Sequence, residues 1–141
     1  MIEFHLDPHS GVAPYLQIVQ QVKRALRLGL LQVGDQLPTV REVIAQITIN
    51  PNTVFKAYRE LEREGLVSSR PGAGTFVRRT LATTSPTTQA ELQESLRRWL
   101  ASAFAAGLDG ESALALFLST LQQVQQDIPT QETPKAEEEP V

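Results

Sequence analysis

Apolar residues recur at three- and four-residue steps over three stretches in the first half of the chain, the spacing that lines one face of an α-helix. Tyr15, Ile18, Val19, Val22, Ala25 and Leu26 predict a first helix from about Pro14 to Leu30. Gln17, Gln21, Lys23, Arg24 and Arg27 fall on its polar side, and Gly29 and Gly34 bracket its exit. Pro14 suits a first helical position, where the amide it lacks would have no intrahelical partner. Val40, Val43, Ile44 and Ile47 predict the inner face of a short second helix. Thr39 is the expected cap, accepting from the Glu42 amide while the Glu42 carboxylate reaches back to the Thr39 amide. Val54, Ala57, Tyr58 and Leu61 predict a third helix, opened by Asn50 as cap with Pro51 and closed by Gly65, residue types that suit those ends.

The pattern then changes. Leu66 to Arg70 and Gly74 to Arg78 predict two short strands with Pro71-Gly72-Ala73 as the connecting tip. Two helices joined by a short turn can set the second one's N-terminus in a major groove while a hairpin wing touches the flanking backbone. The expected fold is therefore mainly α with a small β-wing, a winged helix-turn-helix that reads DNA. The polar tract Thr80 to Thr88, with Pro86 inside it, marks a boundary. Beyond it Leu92, Leu96, Trp99 and Ala103 step by four, three and four, and Leu114, Phe117, Leu121 and Val124 by three, four and three. These are the seam of a two-helix C-terminal hairpin, with Leu100, Phe104 and Leu118 alongside. Helices this short bury little alone, so the seam is expected to serve dimerisation. Trp99 lies on that seam and reads as a core or dimer anchor before a ligand platform. Gln131 to Val141, rich in Glu, Pro and Thr, has almost nothing to bury and is expected to be disordered. The expected organisation is a winged domain over 1–79, a linker over 80–88, a dimerisation or effector region over 89–128 and an acidic tail over 129–141.

Charge sharpens this division. The net charge of −3 looks wrong for a DNA binder until it is split by position. Residues 1–80 hold ten Lys and Arg against seven Asp and Glu, whereas residues 81–141 hold three against nine. An acidic whole limits nonspecific adhesion to DNA, and a modestly basic half keeps the attraction to phosphates that positions a protein on a duplex.

Candidate chemistry removes other classes. The chain has no cysteine, so disulfides, zinc ribbons and thiol catalysis are excluded, and a reducing cytoplasm is the natural compartment. No export signal or membrane span is read. His5, Asp7 and His9 offer ligand types, but alternate residues in a start without helical signals do not preorganise a metal site, and none is expected. With only those two histidines, no glycine-rich phosphate loop and no nucleophile-base set, neither catalysis nor a cofactor is expected.

The motifs themselves resemble a known family. Pro14-Tyr15-x-Gln17-Ile18, Gly34-Asp35-x-Leu37-Pro38-x-x-Arg41-Glu42, Asn50-Pro51-x-Thr53-Val54-x-x-Ala57-Tyr58-x-x-Leu61, and Gly65-Leu66 followed by Gly72-x-Gly74-Thr75-Phe76-Val77 are similar to the DNA-binding domain of GntR-family bacterial transcription regulators. The short two-helix tail and the Asn-Pro-x-Thr signature resemble the YtrA-like group, whose regulators often control transporter operons. The resemblance implies DNA contacts at Arg41 of the second helix, at Asn50, Asn52 and Thr53 of the third, and at Gly72 of the wing. Thr39, Lys56 and Arg70 complete the candidate set. Arg41 suits a bidentate guanine or phosphate contact, Asn52 suits adenine, and Thr53 or a helix N-terminal amide suits a phosphate oxygen. Many relatives carry a basic residue where Pro51 or Phe55 stands, and Ile44 replaces a commonly small one, so operator preference is expected to differ. Phe55 could touch a thymine methyl or equally pack under the wing.

Plainer readings stand beside these. Lys56, Arg59 and Arg63 also suit a solvated face balanced by Glu60, Glu62 and Glu64. Gly72 and Gly74 suit hairpin geometry, and Asn50 is first a cap. The expected function is a homodimeric regulator, a repressor before an activator, whose winged helices read an inverted-repeat DNA operator; the sequence names no small-molecule effector and leaves open whether one acts on it. The alternatives are a chromosome-organising or plasmid-maintenance DNA protein and a winged-helix protein-interaction module.

Overall fold

The computed structural model describes residues 2–128; the tail expected to be disordered lies outside them. Five helices and one hairpin follow in chain order: α1 (Pro14–Arg27), α2 (Val40–Gln46), α3 (Pro51–Arg63), β1 (Val67–Arg70), β2 (Gly74–Val77), α4 (Pro86–Ala105) and α5 (Gly110–Asp127). The chain divides into two compact units between Gln89 and Ala90, within α4.

In the first unit the apolar stripes converge. Ile18, Val19, Val22, Ala25 and Leu26 of α1, Val43 of α2, and Val54, Ala57, Tyr58 and Leu61 of α3 form one core with Phe4, Leu31, Leu37, Leu66, Val67 and Val77. Each large apolar side chain removed from water there contributes about 1.5–3 kcal/mol. Tyr15, Val40 and Ile47 are only partly buried at its edge.

Several expectations need correction. The linker expected over 80–88 ends early, because Pro86 opens α4, a first helical position that tolerates proline. α1 ends at Arg27, not near Leu30. Gly29 takes φ 71°, and the Leu30 and Leu31 amides turn back to the Ala25 carbonyl at 2.9 and 3.3 Å, so the chain leaves the helix axis one turn early. Ile44, expected inside, is 42% exposed, because α2 has only seven residues and Val43 alone on it is fully buried. Gln17, expected on the polar face, is buried. Its side chain accepts from the Asp7 amide at 2.8 Å and donates to the Asp7 carbonyl, the Ser10 hydroxyl and the Val12 carbonyl at 2.9–3.1 Å. A buried amide is tolerated when its donors and acceptors are matched, and here it fastens the segment before α1.

The caps fall where the sequence placed them. Thr39 accepts from the Glu42 amide at 3.1 Å, although the Glu42 carboxylate accepts from the Thr39 hydroxyl, also at 3.1 Å, in place of the expected Thr39 amide. Asn50 accepts from the Asn52 amide at 2.9 Å. Gly65 follows α3 at φ 76°.

β1 and β2 pair antiparallel from Val67 opposite Val77 to Arg70 opposite Gly74. On its other edge β2 receives residues 34–37. Leu37 donates to Thr75 at 2.8 Å, Val77 donates to Asp35 at 2.8 Å, and Gly34 donates to Val77 at 2.9 Å. The wing is thus bonded along both sides of β2, which gives a two-stranded ribbon the support it would lack alone.

In the second unit Asp109 caps α5, accepting from the Ser112 amide at 2.8 Å. α4 and α5 run 20 and 18 residues, and Ala103 and Ala113 are their buried residues. Among the described residues no helix is long and apolar enough to cross a membrane.

Candidate nucleic-acid interface

Three elements border one open cleft of about 310 Å³. Pro38, Thr39 and Val40 contribute from the start of α2, Phe55, Tyr58, Arg59 and Glu62 from α3, and Ser69, Gly74 and Thr75 from the wing. The arrangement depends on Tyr58. Its ring is buried in the core while its hydroxyl donates to the Pro38 carbonyl at 2.6 Å, tying the start of α2 to the middle of α3. Burial, reinforced by the nearby Glu42 charge, pushes the Tyr58 phenol above its ordinary range, so it remains a donor throughout the physiological range.

Of the residues expected to contact DNA, only Thr39 lines this cleft, and most of the others are accessible to a ligand. Arg41, Asn50, Asn52, Lys56, Arg70 and Gly72 are exposed, and Thr39 and Thr53 are half-buried. Lys56 does not project freely: its ammonium lies 4.0 Å from the centre of the Tyr15 ring, a cation–π contact toward α1. Arg63 is committed to Glu60, donating from Nε to Oε2 at 3.0 Å and from Nη2 to Oε1. That pair lowers the Glu60 carboxyl and raises the Arg63 guanidinium relative to their ordinary values. Of the other acidic residues on α3 and after it, Glu64 takes Lys23 at 2.7 Å and Glu62 accepts from Ser69. Lys56 and Arg63 are thus engaged within the protein, whereas Arg59 lines the cleft.

The wing has organising residues that local sequence did not announce. The Arg70 guanidinium stacks 5.0 Å from the Phe76 ring centre, directly across the ladder from Ser68, so a charge near the wing tip is held on an aromatic face. Gln36 forms a bridge with Phe76 and donates to the Ala73 carbonyl at 3.2 Å. Gly74 has φ 125°, which favours glycine there, and a Cβ would stand 2.5 Å from Gln36 Nε2, so the Gln36 side chain would have to move off the wing. Gly72, at φ 75° with open space around it, needs glycine for the turn alone. The link between Gln36 and the wing spans 37 residues, so no local spacing encodes it.

No group of three or more metal-ligating side chains occurs among the described residues. Asp7 is engaged locally, accepting from the His9 amide at 2.9 Å.

On the second unit Leu92, Leu96, Leu114, Phe117, Leu121 and Val124 are exposed, Trp99 is half-buried and Ala103 is buried. Two shallow apolar hollows flank Leu96, Trp99 and Phe117, of about 360 Å³ toward Val124 and about 230 Å³ toward Phe104.

Residues 14–77 match the gntR family of bacterial regulatory proteins. Over 107 residues the chain is 40% identical to the transcriptional repressor YtrA of Bacillus subtilis, covering 75% of this chain and 82% of that one. The chain belongs to the GntR family. Its extent places it in the YtrA-like group of GntR regulators, since the similarity to YtrA runs well past the winged domain. The transcriptional regulator Rv1152 of Mycobacterium tuberculosis is 34% identical over 77% of this chain and 86% of its own. Among solved structures, a transcriptional antiterminator from Listeria monocytogenes aligns over 89% of this chain and 92% of its own at 33% identity with a TM-score of 0.54. This GntR protein is accordingly a sequence-specific DNA-binding regulator of transcription.

Proposed function

We propose that this regulator represses transcription as a homodimer, each winged domain reading one half of an inverted-repeat operator. The observation that carries the reading is the meeting of the α2 start, the outward side of α3 and the wing around a single cleft. That arrangement suits insertion of α3 into a major groove with the wing on adjacent backbone. Arg41, Asn52 and Thr53 are the proposed base or phosphate contacts, with Thr39, Asn50 and Lys56 around them and Arg70 and Gly72 on the wing. Repression is drawn from YtrA, a repressor.

Dimerisation is supported by the second unit. Leu92, Leu96, Leu114 and Leu121 are each more than 40% exposed, and two helices that bury only alanines gain little in water without a partner. A second copy covering Leu96, Trp99, Phe117, Leu121 and Val124 would supply that burial and fix the distance between the two wings. An effector would act by favouring one such distance over another. The function is binding without catalysis, and it places the protein with the chromosome in the bacterial cytoplasm.

Equilibrium titration across a salt series tests the reading. Binding of a selected duplex that weakens steeply with salt, in steps of two chains per site, is the expected result. Equal affinity for selected and scrambled duplexes would favour a chromosome-organising role, and salt-independent behaviour without duplex binding would favour a protein partner.

A further inference from the structure

We propose that Phe55 reads a thymine, its ring covering the 5-methyl group of that base in the major groove. The inference deepens the DNA-binding reading above and rests on it. Phe55 is 50% exposed, although Val54, Ala57, Tyr58 and Leu61 on the same helix are all buried. The core beneath α3 is closed without it. Apart from Pro51, which opens the helix, every other exposed residue of α3 is polar or charged: Asn52, Lys56, Arg59, Glu62 and Arg63. The wing does not cap the ring, for the cleft between them remains open with Pro38, Val40, Tyr58 and Thr75 on its walls.

A phenyl ring has no hydrogen-bond donor or acceptor with which to read a base edge. In the major groove the base pairs offer donors, acceptors and one apolar group, the thymine C5 methyl. An apolar side chain on a reading helix therefore has one feature it can select by contact. Asn52 precedes Phe55 by three residues and Arg59 follows by four, so both neighbour it on the helix surface. Lys56, drawn to Tyr15, leaves that side clear. The methyl would accordingly lie inside the half-site, between bases or phosphates met by Asn52 and Arg59.

The test uses the full chain and the duplex it recovers from a random pool. Each thymine is replaced singly by deoxyuridine, which removes the methyl and leaves pairing intact, and affinities are titrated for the wild type, Phe55→Ala and Phe55→Leu. The expected result is one thymine per half-site whose uracil replacement weakens the wild type about fourfold, the loss of one buried methyl. Phe55→Ala should bind the thymine and uracil duplexes equally, and Phe55→Leu should keep part of the discrimination. Unchanged thermal melting of both variants is expected from the exposed position. Where Phe55→Ala binds weakly, lower salt strengthens its phosphate contacts enough to compare the two duplexes. Operator binding by the wild type with no methyl-sensitive position, or equal methyl sensitivity in Phe55→Ala, would overturn the assignment alone. A wild type that selects no duplex would overturn the DNA-binding reading and this inference with it.

Discussion

Tyr58 joins two jobs in one side chain: its ring fills the core, and its hydroxyl supports the Pro38 carbonyl at the rim of the cleft. Tyr58→Phe leaves that buried acceptor unpaired, so chemical denaturation should show a loss of about 1–3 kcal/mol. Arg41, by contrast, is exposed and has no such structural duty. Arg41→Ala should fold with unchanged stability and lose about 1–3 kcal/mol of specific binding. Unaltered operator affinity would remove it from the readout. At this scale the sequence was an uneven guide. Arg41 and Asn52 are proposed contacts because they sit in the family motifs, whose residues lie close together in the chain. The burial of Gln17 and the pull of Tyr15 on Lys56 depend on segments that meet only after folding, and no helical period encodes them.

Helix beginnings were legible because a cap is a contract among four consecutive residues. Thr39 and Asn50, the expected caps, each accept from an amide two or three residues on, and Asp109, which the sequence reading did not single out, does the same for α5. Asn50→Ala should cost about 1 kcal/mol of stability. Asn50→Asp should preserve the cap while its added charge repels phosphate, so melting stays level and operator affinity falls; a parallel loss of both would mean that Asn50 acts through folding alone. Asp109 makes a pH-dependent claim. Hydrogen bonds from Ser112 hold its carboxyl below the ordinary value, so its contribution is fully present above about pH 3.9 and disappears as pH falls through the depressed value. Ser112 amide exchange should rise across that window in the wild type and show no such transition in Asp109→Asn. Helix ends were harder to read. α1 stops at Arg27 because Gly29 adopts a left-handed turn, whereas the apolar pattern carries on through Leu30 and Leu31.

At the scale of the whole molecule, the sequence revealed an apolar seam beyond Thr88 but not how little of it the single chain hides. Burial is a property of the assembly, and α4 with α5 covers Ala103 and Ala113 while leaving Leu96 and Leu121 more than 40% exposed. Leu96→Asp combined with Leu121→Asp should shift sedimentation from dimer to monomer, keep the winged domain folded, and weaken binding to a two-half-site duplex far more than to a single half-site. A double variant that remains dimeric would place the interface elsewhere. The charge asymmetry follows the same division, the winged half being modestly basic and the remainder acidic. Sequence-specific reading by a dimer is tested by selection of duplexes from a random pool by the purified full chain, with the enriched site retitrated at several salt concentrations. A two-fold-symmetric site whose affinity falls steeply with salt is the expected result; recovery of no enriched sequence would rule out sequence-specific reading by a dimer.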